Sequence, residues 1–82
     1  MYYVYAIESL TRKYIYIGIT DNIDRRLNQH NQGYNRTTKP YRPFRLVYME
    51  EFPDRKQARA REKHLKTTTG RRFLRDQADK ML

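Results

Sequence analysis

Residues 14–30, YIYIGITDNIDRRLNQH, lead from a strand directly into a helix and decide the fold. Tyr14 to Thr20 is rich in aromatic and β-branched residues, which favours a β-strand. Asp21 or Asn22 then offers a side-chain oxygen that caps the N-terminus of a helix, and Asp24 in the first turn suits the positive end of the helix dipole. The stretch therefore predicts a strand, a short junction and a helix.

The predicted helix runs to about Asn31, with Ile23 and Leu27 facing inward and Gly33 as its C-terminal stop. The remaining segments are predicted as a strand at 2–8, a hairpin loop at 9–13, a polar loop at 32–43, a strand at 44–52, a helix from Asp54 to about Lys66, a break at 67–70 and a helix at 71–82. The order β-β-α-β-α-α predicts an α+β fold in one domain over residues 1–82, a small three-stranded antiparallel sheet flanked by helices.

The charge balance indicates a polyanionic partner. The 82 residues contain 18 Lys and Arg against 9 Asp and Glu, a formal net charge of +9. Surplus positive charge on so small a surface favours nucleic acid; a solvated basic surface or a ribosome-associated protein is the alternative. No cysteine is present, which excludes disulfides and thiolate zinc sites. The N-terminus lacks the features of a signal peptide, so we expect a complete chain in the cytoplasm.

Arg26 and His30 are four residues apart on the predicted helix, so they share one face, while Arg25 and Gln29 are expected to point elsewhere. The guanidinium of an arginine binds phosphate with a planar fork of donors. A histidine beside it can donate to the same phosphate or hold the arginine in place. The alternative is an ordinary solvated pair on an amphipathic helix.

Two tyrosines fall near the middle of paired strands. Tyr5 and Tyr16 are expected to lie close together on the antiparallel ribbon, and Gly18 lets the backbone approach a ligand or a helix closely. Taken singly, a tyrosine in such a position is more often a half-buried core residue with a satisfied hydroxyl.

Glu62 is an isolated carboxylate on the second predicted helix. It shares a face with Ala58 and Leu65, so it should point inward, which is costly unless the carboxylate is paired or binds a metal. One carboxylate with waters and a substrate phosphate suits magnesium. The alternatives are a salt bridge to Arg59, Arg61 or Lys66, or an exposed position.

Two further basic segments are candidate nucleic-acid contacts. Cations, hydroxyls and aromatic rings mix in the loop at 34–42, and cations surround most of the second helix. The residues selected from these segments are Tyr34, Asn35, Arg36, Lys39, Arg59 and Lys63. A mobile polar loop and a merely solvated helix face are the alternatives.

Taken together, these motifs resemble the GIY-YIG nuclease family over about residues 2 to 70. Tyr5 in Tyr3-Val4-Tyr5 matches the tyrosine of the first motif, and the run from Tyr16 to Gly18 matches the second. The family's arginine, histidine and metal-binding glutamate match Arg26, His30 and Glu62. The chain departs from the pattern at Tyr3, where the family has glycine, and at Ile19, where some repair enzymes carry lysine.

The resemblance implies a nuclease of the small stand-alone bacterial type. Magnesium, or manganese, on Glu62 would stabilise the leaving oxygen, and Arg26 would stabilise charge on the phosphate. Tyr5 or Tyr16 would take part in deprotonating the water, with His30 assisting the proton transfer or orienting the phosphate. The expected substrate is DNA, single-stranded or structured, read with low sequence specificity, with RNA as a second candidate. We expect a monomer or weak dimer that either reads the shape or single-strandedness of its substrate itself or takes its specificity from a protein partner. A non-catalytic nucleic-acid-binding domain of the same fold is the competing interpretation.

Overall fold

The structure, a computed structural model, describes residues 1–81. A three-stranded antiparallel sheet has the order β2-β1-β3, and three helices pack against it. The elements are β1 (Tyr2–Ser9), β2 (Ile15–Thr20), α1 (Ile23–Gln32), β3 (Phe44–Phe52), α2 (Arg55–Leu65) and α3 (Thr68–Lys80). The predicted fold class and element order are confirmed.

Strand β1 is the centre of the sheet, and its register positions the tyrosines. Tyr5 lies opposite Gly18 of β2 on one side and Met49 of β3 on the other. Because side chains alternate between the two faces of a strand, Tyr5 points to the opposite face from Val4 and Ala6. The two faces of the sheet therefore carry different chemistry.

One face carries an aliphatic core that is covered by α2 and α3. Its buried residues include Val4, Ala6 and Ile17 from the strands, with Leu65 and Leu74 from the helices. The buried apolar residues of α2 and α3 pack against this face of the sheet.

The other face carries a more aromatic core, built from Tyr5, Ile7 and Phe44. Helix α1 covers it with Ile23 and Leu27, as the sequence predicts. This face thus brings α1 directly over the middle of the sheet, where Tyr5 lies.

The ends of α1 are fixed by local hydrogen bonds. Asn22 rather than Asp21 is the N-cap, since its side chain accepts from the backbone N–H of Arg25. Asp21 forms an ion pair with the Arg25 side chain instead. Gly33 ends the helix as predicted, with a left-handed φ of 84° that favours glycine.

The predicted break at 67–70 is wrong in its extent. Thr67 is the N-cap of α3, and its side chain accepts from the backbone N–H of Gly70, so Thr68 and Thr69 are already helical. Gly70 packs so closely on α2 that an added Cβ would lie 2.5 Å from the carbonyl oxygen of His64 and from Cα of Leu65. The glycine is therefore needed for helix packing rather than for a turn.

The segment between α1 and β3 is more ordered than the predicted loop. A short 3-10 helix occupies Lys39–Tyr41. The Asn31 side chain also bonds the backbone of Phe44 in both directions, at 2.7 Å to N and 3.3 Å to O. The two ends of the loop are thus held to each other. Among residues 1–81 no helix is both long and apolar enough to pass through a bilayer.

Candidate active site

Four of the five predicted site residues meet on the α1 face of the sheet. The ring centroids of Tyr5 and Tyr16 are 6.3 Å apart, and the His30 ring lies 6.0 Å from the first and 4.9 Å from the second. Arg26 lies one turn before His30 on α1, close to both tyrosine hydroxyls. The predicted proximity of the tyrosines and the shared face of Arg26 and His30 are both present.

His30 is fully buried and bonded through both ring nitrogens. Its Nε2 lies 2.9 Å from the Tyr5 hydroxyl, and its Nδ1 lies 2.8 Å from the Thr38 hydroxyl oxygen. The Thr38 hydroxyl donates to the Asn35 carbonyl at 3.4 Å, so its oxygen accepts from Nδ1–H. Nε2 is then the acceptor for the Tyr5 hydroxyl, and the imidazole is neutral.

The electrostatics of the pair agree with that assignment. Burial, together with the nearby Arg26 charge, lowers the pKa of His30 to about 4. Burial also raises the pKa of Tyr5 to about 12, against the opposing effect of the Arg26 guanidinium. At neutral pH the Tyr5 hydroxyl keeps its proton and His30 is uncharged. Both ring nitrogens of His30 are engaged by protein groups, the Tyr5 hydroxyl and the Thr38 hydroxyl.

Gly18 supplies the room in which the Tyr5 hydroxyl lies. A Cβ at this position would come within 2.7 Å of the Tyr5 hydroxyl oxygen and 3.0 Å of Cε2 of Tyr16. No side chain of normal geometry fits there without moving one of the rings. The sequence predicts that the backbone at Gly18 approaches a ligand or a helix closely. In the structure the backbone at Gly18 lies close to the side chains of Tyr5 and Tyr16.

Arg26 is half-buried and remains charged. Burial lowers its pKa, but interactions with the hydroxyls of Tyr5 and Tyr16 outweigh that effect and raise the pKa above its ordinary value. Its Nη1 donates to Oε1 of Gln29 at 3.1 Å, so the prediction that Gln29 points elsewhere is wrong. Within residues 1–81, no carboxylate lies within 4.0 Å of the Arg26 guanidinium.

Glu62 reaches the region from α2, on the other side of the sheet. Its side chain is only 15% exposed, in line with the predicted inward position, and its Oε2 accepts from Lys66 Nζ at 3.1 Å. Arg59 lies 4.0 Å away, whereas Arg61 pairs with Glu50. In the described chain Glu62 has no hydrogen bond to the other four site residues. Its negative charge does act on Tyr5, where it contributes to the raised pKa after burial and Tyr16.

The predicted nucleic-acid contacts lie on two separate exposed surfaces. Tyr34, Arg36 and Lys39 are exposed in the loop before β3, and Tyr34 is 71% exposed. Arg59 and Lys63 are exposed on α2, while Asn35 is half-buried. The Asn35 side chain accepts from the backbone N–H of Thr37 at 2.9 Å, so this residue shapes the loop.

The structure adds two residues that the sequence patterns did not indicate. Thr38 is fully buried as the Nδ1 partner of His30, and Gln29 holds the Arg26 guanidinium. The ion pair of Lys66 with Glu62, by contrast, is one of the alternatives that the sequence analysis named. Nothing in the local sequence distinguishes Thr38 from Thr37, because its role depends on contact with α1.

Comparison with known proteins identifies the family. The sequence profile described as the GIY-YIG catalytic domain matches residues 1–75, which include all five site residues. The chain belongs to the GIY-YIG family. Membership of this family indicates a nuclease-type domain and, with it, a nucleic-acid substrate.

The similar proteins are small UPF0213 members of the GIY-YIG family. A UPF0213 protein of Staphylococcus haemolyticus is 37% identical over 82 residues, which cover 99% of this chain and 93% of that protein. A UPF0213 protein of Clostridium perfringens is 34% identical over 70 residues, covering 84% and 74% respectively. The solution NMR structure of a UPF0213 protein from Bacillus halodurans is 31% identical, with a TM-score of 0.55 over 93% of this chain and 84% of that one.

Proposed function

We propose that this GIY-YIG domain hydrolyses phosphodiester bonds in DNA with the help of a divalent metal, and with low sequence specificity. The observation that supports the proposal most strongly is the position of Arg26. Its guanidinium is half-buried beside two tyrosine hydroxyls, and no described carboxylate neutralises it. A cation held in this way can stabilise the charge that builds on a phosphate during hydrolysis.

The two tyrosines are assigned different roles. Tyr5 is 2% exposed, donates to His30 and has a pKa raised to about 12, chiefly by burial, so it is poorly suited to take a proton from water. Tyr16 is half-buried and lines an open groove. We therefore assign Tyr16 to the water and Tyr5 to positioning of the Arg26 guanidinium. His30 supports Tyr5 from behind.

Glu62 is the residue that would hold the metal. No group of three or more His, Cys, Asp or Glu side chains within residues 1–81 could hold an ion. A single carboxylate nevertheless fits magnesium, or manganese, which can complete its coordination with water and substrate phosphate. When bound, the ion would supply positive charge to the leaving oxygen. Glu62 would first have to exchange the Lys66 ammonium for the metal.

The Lys66–Glu62 ion pair also favours a second function. A carboxylate that is neutralised by a lysine has less tendency to take up a cation, and a domain without metal would bind nucleic acid but not cut it. This non-catalytic alternative keeps Arg26 and the basic surfaces as phosphate contacts. Cleavage assays on matched variants separate the two functions.

Arg26→Ala should slow cleavage of labelled DNA by about 100- to 1000-fold, because a donor to the transition state is lost. Arg25→Ala is the matched control, since Arg25 directly precedes Arg26 in α1 and its exposed side chain pairs with Asp21. It should leave the single-turnover rate within about a factor of two of wild type. Equal rates for the two variants would show that Arg26 has no part in the chemistry.

Glu62→Gln should reduce magnesium-dependent cleavage to the level that wild type shows in excess chelator, because the amide preserves the shape but removes the charge that holds a metal. Glu51→Gln, on an exposed carboxylate of β3, is the control and should stay active. Both variants should bind DNA as wild type does. Wild-type activity in chelator, or full activity of Glu62→Gln, contradicts the metal role. Absence of cleavage in every protein supports the non-catalytic alternative.

Tyr16→Phe should abolish most of the cleavage while leaving the free energy of unfolding within about 0.5 kcal/mol of wild type. Tyr5→Phe should instead destabilise the fold by about 1 to 3 kcal/mol, because Nε2 of His30 is left buried without a donor. Its cleavage rate should fall less than that of Tyr16→Phe. The measurements are urea unfolding and single-turnover cleavage, and the reverse order of the two rates would show that the roles are exchanged.

A further inference from the structure

A groove with a volume of about 540 Å³ runs between the sheet edge and α3. One wall is formed by residues 13–17, at the start of the edge strand β2, and the other by residues 71–76 of α3. Lys66, at the C-terminus of α2, lies between the two walls. Tyr16 belongs to the first wall and is also one of the predicted site residues, so the groove borders the candidate active site at Tyr16.

The walls of the groove are strongly positive. It is lined by five cations, Lys13, Lys66, Arg71, Arg72 and Arg75, and by a single carboxylate, Asp76. Lys66 pairs with Glu62, but in the described part of the chain the other four cations have no carboxylate within 4.0 Å. On α2, Arg59 and Arg61 face glutamates. The groove thus combines four cations that no described carboxylate neutralises with one acidic residue in its lining.

Aromatic and apolar side chains form the rest of the lining. The half-buried residues Tyr14, Ile15 and Tyr16 belong to the lining, with Leu74 buried beneath it. The ring of Tyr14 is held in place by stacking on Tyr41, at a centroid distance of 4.0 Å and an interplanar angle of 11°. Cations beside fixed aromatic rings suit unpaired nucleotides, whose phosphates meet the charges while their bases contact the rings.

The geometry points to one unpaired nucleic-acid strand as the ligand of this groove, with the strand leading towards Tyr16 and Arg26. This inference rests on the proposed function, which gives nucleic acid as the chemical class of the ligand. It adds the path that the ligand takes across the surface and the single-stranded form in which it binds. A uniform duplex would present phosphates to the cations but would keep its bases stacked away from the aromatic rings. The contacts expected from the sequence, on the loop before β3 and on α2, become secondary to residues of β2 and α3.

The test is binding of a fluorescent oligothymidylate of about 15 nucleotides, in chelator so that no cleavage occurs. Lys13→Ala combined with Arg72→Ala removes two exposed charges from the groove. Arg55→Ala combined with Lys56→Ala removes two exposed charges from the first turn of α2 and is the matched control. The groove variant should bind at least about tenfold more weakly, and its log–log salt slope should fall by about 0.7 for each lost phosphate contact. The control should stay close to wild type.

Binding of a blunt-ended duplex of the same length shows whether the groove prefers a single strand or attracts any phosphate backbone. The single strand should bind more tightly than the duplex, and only its affinity should depend on the groove residues. An equal loss of affinity in the groove variant and the control variant would overturn the inference. So would a duplex that binds as tightly as the single strand and loses as much affinity through the groove substitutions. This assay measures binding without cleavage. The groove inference can therefore be contradicted while the cleavage predictions for Arg26 and Glu62 hold. Equally, binding in the groove can be confirmed while those cleavage predictions fail.

Discussion

The hydrogen bond between the Tyr5 hydroxyl and Nε2 of His30 is the contact on which the site depends. It joins the central strand of the sheet to α1 in a place that water does not reach. Through Nδ1 the same imidazole holds Thr38, and with it the loop before β3. Three segments that are far apart in the sequence are thus fixed by one ring. Because a buried polar group without a partner costs about 1 to 3 kcal/mol, loss of any member of this chain weakens the others.

In this protein, the number of cations on a helix differs from the number that are free to bind phosphate. From the sequence, α2 is the most basic helix, yet two of its arginines and the adjacent Lys66 face glutamates. Arg71, Arg72 and Arg75 of α3 have no such partners in the described residues, and they line the groove beside Tyr16. Salt bridges at the surface contribute little stability, but they do reduce the positive potential that attracts phosphates. The three groove arginines of α3 therefore keep their full attraction for phosphate, whereas part of the positive charge on α2 is neutralised.

Much of the fold could be predicted because its signals are local. The strand composition of residues 14–20, the cap before Ile23 and the stop at Gly33 each act within a few residues, and each element formed where it was expected. The meeting of Tyr5, Tyr16, Arg26 and His30 also follows from hairpin pairing and helix periodicity. The burial of Thr38, the groove and the close packing of Gly70 on α2 depend on contacts between distant segments. No local pattern encodes those contacts, so the sequence predicts a break at 67–70 although residues 68–70 belong to α3.

NMR titration of the His30 imidazole tests whether this ring is neutral and accepts a hydrogen bond from Tyr5. The signal that is missing from a His30→Gln variant assigns the ring. Burial lowers the pKa of His30 from 6.5 to about 4, so protonation favours the unfolded chain. The stabilisation from the neutral ring should be complete above pH 6.5 and be lost as the pH falls towards 4. We predict a midpoint near pH 4 and an Nδ1–H tautomer at neutral pH. A midpoint at or above 6.5 would contradict this, because a buried imidazole that accepts the Tyr5 proton resists protonation more than a free one does.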